Sequence, residues 1–307
     1  MGKAGKQRAR ERREQRRQEI LELRKVPYTP ADRWWSPDTV AAVTGSNRGI
    51  GYEIARQLAM HGLRVVVTSR DAGALRQEGL DVDYCQLDIV DESSVKAFAN
   101  WILMKHGGLD ILVNNAGVNF NKGSENSVEY ASKVIDINYI GTKRMIQTMI
   151  PLMKPSTSGA RILNIGSRLG RLGSRRNKLG DATLNEQLLR DDCLSESLID
   201  HMVAEFLKQV GDGSWMSNGW PQIFTDYSVS KLAVNAYTRL MARTLSSRPE
   251  GHKIHINCYC PGWVKTSMTG WEGNISAEEG ADTGVWTVLL PESPTGKFFA
   301  ERREINF

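Results

Sequence analysis

Three observations predict an α/β fold built on a parallel sheet. From Thr39 onward, short β-branched runs alternate with stretches whose apolar residues recur at three and four. The runs are near-continuously apolar in their middles, as strands are when crossover helices cover both faces of a sheet. The first run ends in a glycine-rich turn that opens directly into a helical stretch. Together these describe a Rossmann-type, doubly wound parallel sheet of about seven strands.

The chain starts differently. Residues 1–26 hold ten lysines and arginines against four glutamates, so although the whole chain carries +5, the remainder is close to neutral at −1. Residues 1–30 therefore read as a basic extension, frayed or helical, and residues 31–307 as one domain. Such an extension suits nucleic acid or an anionic surface, but it lacks interleaved aromatics and any nucleic-acid motif, so solvation is the expected state. No run approaches 18 uncharged apolar residues and no apolar leader opens the chain, so a cytoplasmic protein without membrane contact is expected.

Strands are expected at 39–45, 64–70, 82–88, 109–117, 160–167 and 254–262, with a short last one in "GKFFAE". Helices are expected near 51–62, 91–106, 127–150 and 227–247. Residues 168–226 break the rhythm. They run from "RLGRLGSRRNKLG" through "SESLIDHMVAEFLKQV", where Leu198, Met202 and Phe206 share a helical face, to "GDGSWMSNGWPQ". A structureless loop of that length is improbable in a compact domain, so an inserted helical cover is expected. Four cysteines, Cys85, Cys193, Cys258 and Cys260, are too few for a disulfide framework. Cys258 and Cys260 alternate on one strand and read as buried apolar side chains, with no cluster that suggests a metal.

The turn after the first strand reads "TGSNRGIG" (44–51). Its glycines let backbone N–H groups approach a pyrophosphate, and the following helix presents its positive end. Gly45, Asn47, Arg48, Gly49, Ile50 and Gly51 are thus candidate cofactor-binding residues. The second strand ends "TSRD", placing Arg70 where a dinucleotide's 2′ position is read. A guanidinium there, with Arg48 beside it, suits the 2′-phosphate of NADPH better than the bare hydroxyl of NADH. Asp71 is either a helix cap or a ribose contact.

Tyr227 and Lys231 in "YSVSK" stand one helical turn apart. Reducing a carbonyl needs a proton donor at the oxygen, where negative charge grows, and a nearby cation lowers a phenol's pKa by roughly 1–3 units. The spacing therefore predicts that Lys231 tunes Tyr227. Taken singly, each residue also has an ordinary structural reading.

TGxxxGxG at 44–51, "NNAG" at 114–117, Asn138 in "DINYIGT", Ser167 closing a strand, Tyr227 and Lys231 in YxxxK and "PGWVKT" at 261–266 together resemble the short-chain dehydrogenase/reductase family over residues 39 to about 300. The long segment between Ser167 and Tyr227 is similar to that of its monomeric NADPH-dependent carbonyl reductases, including the plant menthone and salutaridine reductase type. The resemblance implies Asn138, Ser167, Tyr227 and Lys231 as catalytic residues, Ser167 bonding the substrate oxygen and Asn138 holding a water next to Lys231. It also implies cofactor contacts from Asp88 and Ile89 at the adenine, from Asn115, Ala116 and Gly117 along the ribose, and from Pro261, Gly262, Val264 and Thr266 near the nicotinamide. Trp263 is a candidate wall of the substrate site.

The expected activity is transfer of a hydride from NADPH to a ketone or aldehyde, with Tyr227 as proton donor. The reverse reaction, an NADP-linked alcohol dehydrogenase, uses the same residues, and a non-catalytic nucleotide-binding scaffold acting through the basic tail is the alternative of a different class. The Trp- and Gly-rich insertion and post-263 region suit an apolar carbonyl such as a terpenoid, quinone or aromatic ketone. The insertion is expected to cover the surface through which ordinary family members associate, leaving a monomer.

Overall fold

In the computed structural model, residues 3–70, 82–120, 128–173 and 177–307 are described. Asp71 and part of the arginine-rich stretch after Ser167 lie outside them. Within the described residues, β1 (Val40–Val43), β2 (Arg64–Ser69), β3 (Val82–Gln86), β4 (Ile111–Asn114), β5 (Ala160–Ile165), β6 (Ile254–Tyr259), β7 (Phe298–Ala300) and β8 (Arg303–Ile305) form one sheet. Their order is β3-β2-β1-β4-β5-β6-β7-β8. Every neighbouring pair is parallel except β7 with β8.

The chain reverses its direction of travel across the sheet between β1 and β4. That reversal opens the crevice at the carboxyl ends of the strands where ligands of such sheets bind. The central strands β1 and β4 are buried along their whole length. Alternate residues feed two cores: Ala42, Val66, Leu112 and Ile162 face one side, and Ala41, Val65, Ile111 and Leu163 the other.

The eighth strand is a departure from the seven expected, and its cause is local. β7 and β8 are joined by Glu301 and Arg302, both left-handed at φ 56° and 50°. This is the geometry of a two-residue hairpin turn, which normally takes Asn-Gly. Here distant contacts hold it: Arg302 makes paired bonds of 2.8 and 2.6 Å to Asp282, and its N–H donates to Thr283 Oγ1.

Helix α1 (Lys3–Leu23) has no apolar face and lies against the body through charge. Arg16 donates to the Glu301 carbonyl, and Arg17 pairs with Glu279. Arg24 reaches Glu278 and Asp282. The crossover helices are α2 (Gly49–Met60), α3 (Glu92–His106), α4 (Ala131–Ile135) continuing through a π turn (Asp136–Gly141) into α5 (Thr142–Met149), α8 (Thr225–Ser246) and α9 (Ala277–Leu289). α6 (Ala182–Leu189) and α7 (Glu196–Asp212) lie within the 168–226 segment.

α7 buries Ile199, Met202, Val203, Phe206 and Val210, so the apolar stripe begins at Ile199, and Leu198 is only half-buried. Polar contacts fix it in place. Asp200 accepts from the Tyr139 hydroxyl at 2.7 Å and from Lys143 at 2.6 Å, and Arg243 donates to the Leu194 carbonyl.

Candidate active site

Because the strands are parallel, every candidate motif ends up on one edge of the sheet. The glycine turn follows β1, Arg70 follows β2, Asp88 follows β3, "NNAG" follows β4, Ser167 follows β5, and "PGWVKT" follows β6.

Gly45 and Gly49 both have φ of 60°, a conformation other residues rarely adopt. A Cβ on Gly45 would lie 3.0 Å from Ala116 Cα, and one on Gly51 would strike the Asn115 amide and come within 2.8 Å of the Gly45 carbonyl. The turn is therefore clamped against the end of β4. Asn115 does the clamping: its Nδ2 donates to the Thr44 and Gly45 carbonyls, both at 2.9 Å. The backbone N–H groups of Asn115 and Ala116 donate to Thr44 Oγ1. The Asn115 side chain thus holds the shape of the loop, with both amide hydrogens committed to it. Thr266 closes the turn from the other side, with its methyl 3.4 Å from where a Gly49 Cβ would stand.

Arg48 and Arg70 are exposed at this end, and neither enters an ion pair among the described residues. Two exposed guanidiniums at the end of the crevice that carries the glycine turn fit a dinucleotide with an extra phosphate. Asp88 is half-buried and accepts from the Val90 N–H at 3.1 Å. Ile89 buries its side chain against Gly141, and its carbonyl accepts from Arg144. Val264 likewise buries its side chain against Gly280 of α9. Pro261 is half-buried and Gly262, at φ 91°, is exposed. Asn47 and Ile50 are partly exposed on the turn, Ile50 packing on the core below.

The chemical end is assembled around α8. Its second and third turns are buried nearly all round, which leaves little freedom for Tyr227 and Lys231. Lys231 Nζ donates to the Ile165 carbonyl at 2.6 Å and lies 5.7 Å from the centre of the Tyr227 ring. The Ser167 hydroxyl stands near enough to the Tyr227 phenol to favour its ionised form. Gly117 lies beside the lysine, a Cβ there falling 3.7 Å from Nζ and 3.1 Å from Asn138 Oδ1.

Asn138 sits in the π turn, a feature that often marks functional sites. Its Oδ1 accepts from the Val118 N–H, and its Nδ2 donates to the Val118 carbonyl and Ser230 Oγ, so its side chain ties the β4 loop to α8. With both amide hydrogens used, the side chain positions the site.

Burial pushes the Tyr227 phenol above its ordinary value, with the Ser167 hydroxyl opposing, and Lys231 is not among the groups that move it. Tyr227 keeps part of its surface exposed. Burial also lowers Lys231 to about 8. Burial thus acts against charge on both members of the pair in the protein alone.

Some contributors have no local signature. A Cβ at Gly170 would run into the backbone of Lys231 and Leu232, so only glycine lets the post-β5 loop lie on α8. Asn235, one turn beyond Lys231, donates to the Ser167 and Gly170 carbonyls. Asn177 donates to Ser228 Oγ and accepts from the Ile223 N–H, pinning the insertion to the start of α8. Phe224 enters that helix in a left-handed conformation, φ 48°, and its ring stacks with Trp263 at 6.4 Å.

A dinucleotide turn at the switch point and a serine, tyrosine and lysine converging on the same crevice define an oxidoreductase of the nucleotide-dependent kind. Comparison with known proteins agrees. The short chain dehydrogenase family model matches residues 39–179. (+)-Neomenthol dehydrogenase of Capsicum annuum is 37% identical over 87% of this chain and 96% of its own. Carbonyl reductase 1 of Bos taurus, whose name specifies NADPH, is 35% identical over 89% and 99%. Among solved structures, salutaridine reductase from Papaver somniferum superposes with a TM-score of 0.77 at 33% identity, covering 85% of this chain and 99% of that one. Menthone neomenthol reductase from Mentha piperita gives 0.70 at 32%, covering 86% and 98%. The chain belongs to the short-chain dehydrogenase/reductase family and is an oxidoreductase of that family.

Proposed function

We propose that this chain is an NADPH-dependent carbonyl reductase in which Tyr227 delivers the proton. The observation that carries the reading is the convergence of Tyr227, Ser167 and Lys231 at one crevice. When bound, NADPH supplies the hydride. Arg48 and Arg70 select its 2′-phosphate, and the turn clamped by Asn115 receives the pyrophosphate. Ser167 and Tyr227 direct hydroxyls at the substrate oxygen, where charge grows, and Tyr227 gives up its proton there. Lys231, anchored on the Ile165 carbonyl, lies close enough to offset the phenolate that remains. The same residues run in reverse, with Tyr227 accepting the proton, would serve oxidation of an alcohol by NADP.

The expected substrate is an apolar carbonyl compound. Phe120, Ile223, Trp263, Met268 and Trp271 are all exposed and all stand on loops at the carboxyl edge of the sheet, where apolar surface left open marks a binding site. The names of the relatives support the same class. Residues 168–226 act as the cover and leave the enzyme monomeric, with α7 packed across α4 and α8. A screen of NADPH oxidation against terpenoid, quinone and aromatic carbonyls, with Tyr227→Phe as the blank, tests the reading. Turnover of at least one class that the blank lacks is expected, and equal rates in the two proteins would overturn it.

A further inference from the structure

The opposite edge of the sheet holds a feature that the activity does not use. Pairing places Val65, Ala41, Ile111, Arg161 and His255 in one row across β2, β1, β4, β5 and β6, all on the same face. The first three are core residues, yet the fourth carries a guanidinium that is only 2% exposed. Its Nε, Nη1 and Nη2 have no hydrogen-bond acceptor. The guanidinium lies 4.5 Å over the ring of Trp34, and the Trp34 indole N–H is also buried without an acceptor.

The three guanidinium nitrogens and, on the indole that covers them, the ring nitrogen are thus each buried with no acceptor among the described residues. No carboxylate influences Arg161: burial alone lowers it, to about 10. His255 supplies no negative charge. Burial and the adjacent guanidinium push it down to about 4, which leaves it neutral. An unpaired buried charge costs several kcal/mol, and a buried donor left unmade about 1–3 kcal/mol each. The face of an indole offsets only part of that. Water can accept two of these bonds but cannot neutralise the charge.

We propose that Arg161 and Trp34 form a binding site for a small monovalent anion of halide or carboxylate type, closed by the segment that precedes β1. The indole covers the guanidinium on one side, so a bound anion bridges Trp34 to β5 and fastens this segment to the base of the sheet. The site lies at the strand ends opposite the crevice and is independent of the proposed reaction.

The test is thermal unfolding of the full chain, titrated with sodium chloride and separately with sodium acetate at constant ionic strength, the balance being gluconate, which is too bulky for a closed site. A saturable rise in the midpoint is expected with at least one of the two, roughly 5 °C at a hundredfold excess over Kd for a domain of this size. Which anion acts distinguishes the two sources. Arg161→Met should remove the response. Should that variant fail to fold, Trp34→Phe, which keeps an aromatic ring and deletes one donor, should weaken the apparent affinity at least tenfold. Bromide should quench one saturable component of tryptophan emission that Trp34→Phe lacks. A midpoint indifferent to anion identity, or a variant responding like the parent chain, would overturn the proposal.

Discussion

The cofactor half of the crevice and its chemical half are built by different means. Around the glycine turn, the determining contacts join residues of two short motifs, Thr44 to Gly51 and Asn115 to Gly117, at the ends of adjacent strands. Around Tyr227, they draw in several loops and the inserted segment: Asn138 to Val118 and Ser230, Gly170 to Lys231, Asn177 to Ser228, Phe224 to Trp263. The first half is a glycine turn held by the end of the neighbouring strand. The second is a buried constellation whose shape depends on how the insertion is seated. Substitutions on the two sides should therefore fail differently, the first through cofactor affinity and the second through turnover or folding.

The largest effect in this comparison is expected at Lys231. Lys231→Met should lower kcat about 10³-fold, the range for loss of a positioned charge at a developing anion. Its stability should change little. Relief of a buried cation, worth up to roughly 3 kcal/mol for a shift from 10.5 to about 8, is offset by the Ile165 carbonyl left unpaired at about 1–3 kcal/mol. Denaturant titration of the variant checks that balance.

On the cofactor side, Arg70→Ala and Arg48→Ala should each reduce kcat/KM for NADPH by roughly 10–100-fold and leave NADH nearly untouched, as expected for one charge-assisted bond to a phosphate. Equal losses with both nucleotides would remove the guanidiniums from 2′ recognition and weaken the division between the halves.

Gly170→Ala sharpens the comparison from the other side. Its methyl meets the α8 backbone, so a destabilisation of about 1–3 kcal/mol is expected, together with reduced turnover and an unchanged Kd for NADPH. Unfolding curves and a nucleotide titration on the same preparation separate the two readouts.

The smallest effect is pH dependence. Lys231 is charged below about 8 and loses its proton above, so kcat for reduction should halve near that pH and keep falling. The stability term has the opposite sign. Between about 8 and 10.5 the folded chain binds fewer protons at this residue than the unfolded chain, so its contribution to stability rises with pH across that window. Lys231→Met should abolish that rise.

These contrasts also show what was legible in the sequence. The parallel sheet, the glycine turn and the order of the motifs could be read because each rests on local periodicity or local backbone need. The π turn at Asn138, the left-handed Phe224 and the Glu301–Arg302 hairpin could not, because the residues there do not favour those shapes and distant contacts impose them. Spacing shows that a cation is near Tyr227, and the packing around α8 adds the burial that raises the phenol. Arg161 looks like an ordinary strand-start charge until Trp34 is seen lying across it.

The proton donor itself is tested most directly by single-turnover oxidation of bound NADPH by a substrate carbonyl in Tyr227→Phe, with nucleotide affinity measured alongside. The account predicts a rate at least about 10³-fold below the parent enzyme with Kd for NADPH unchanged. A rate within tenfold of the parent would contradict it.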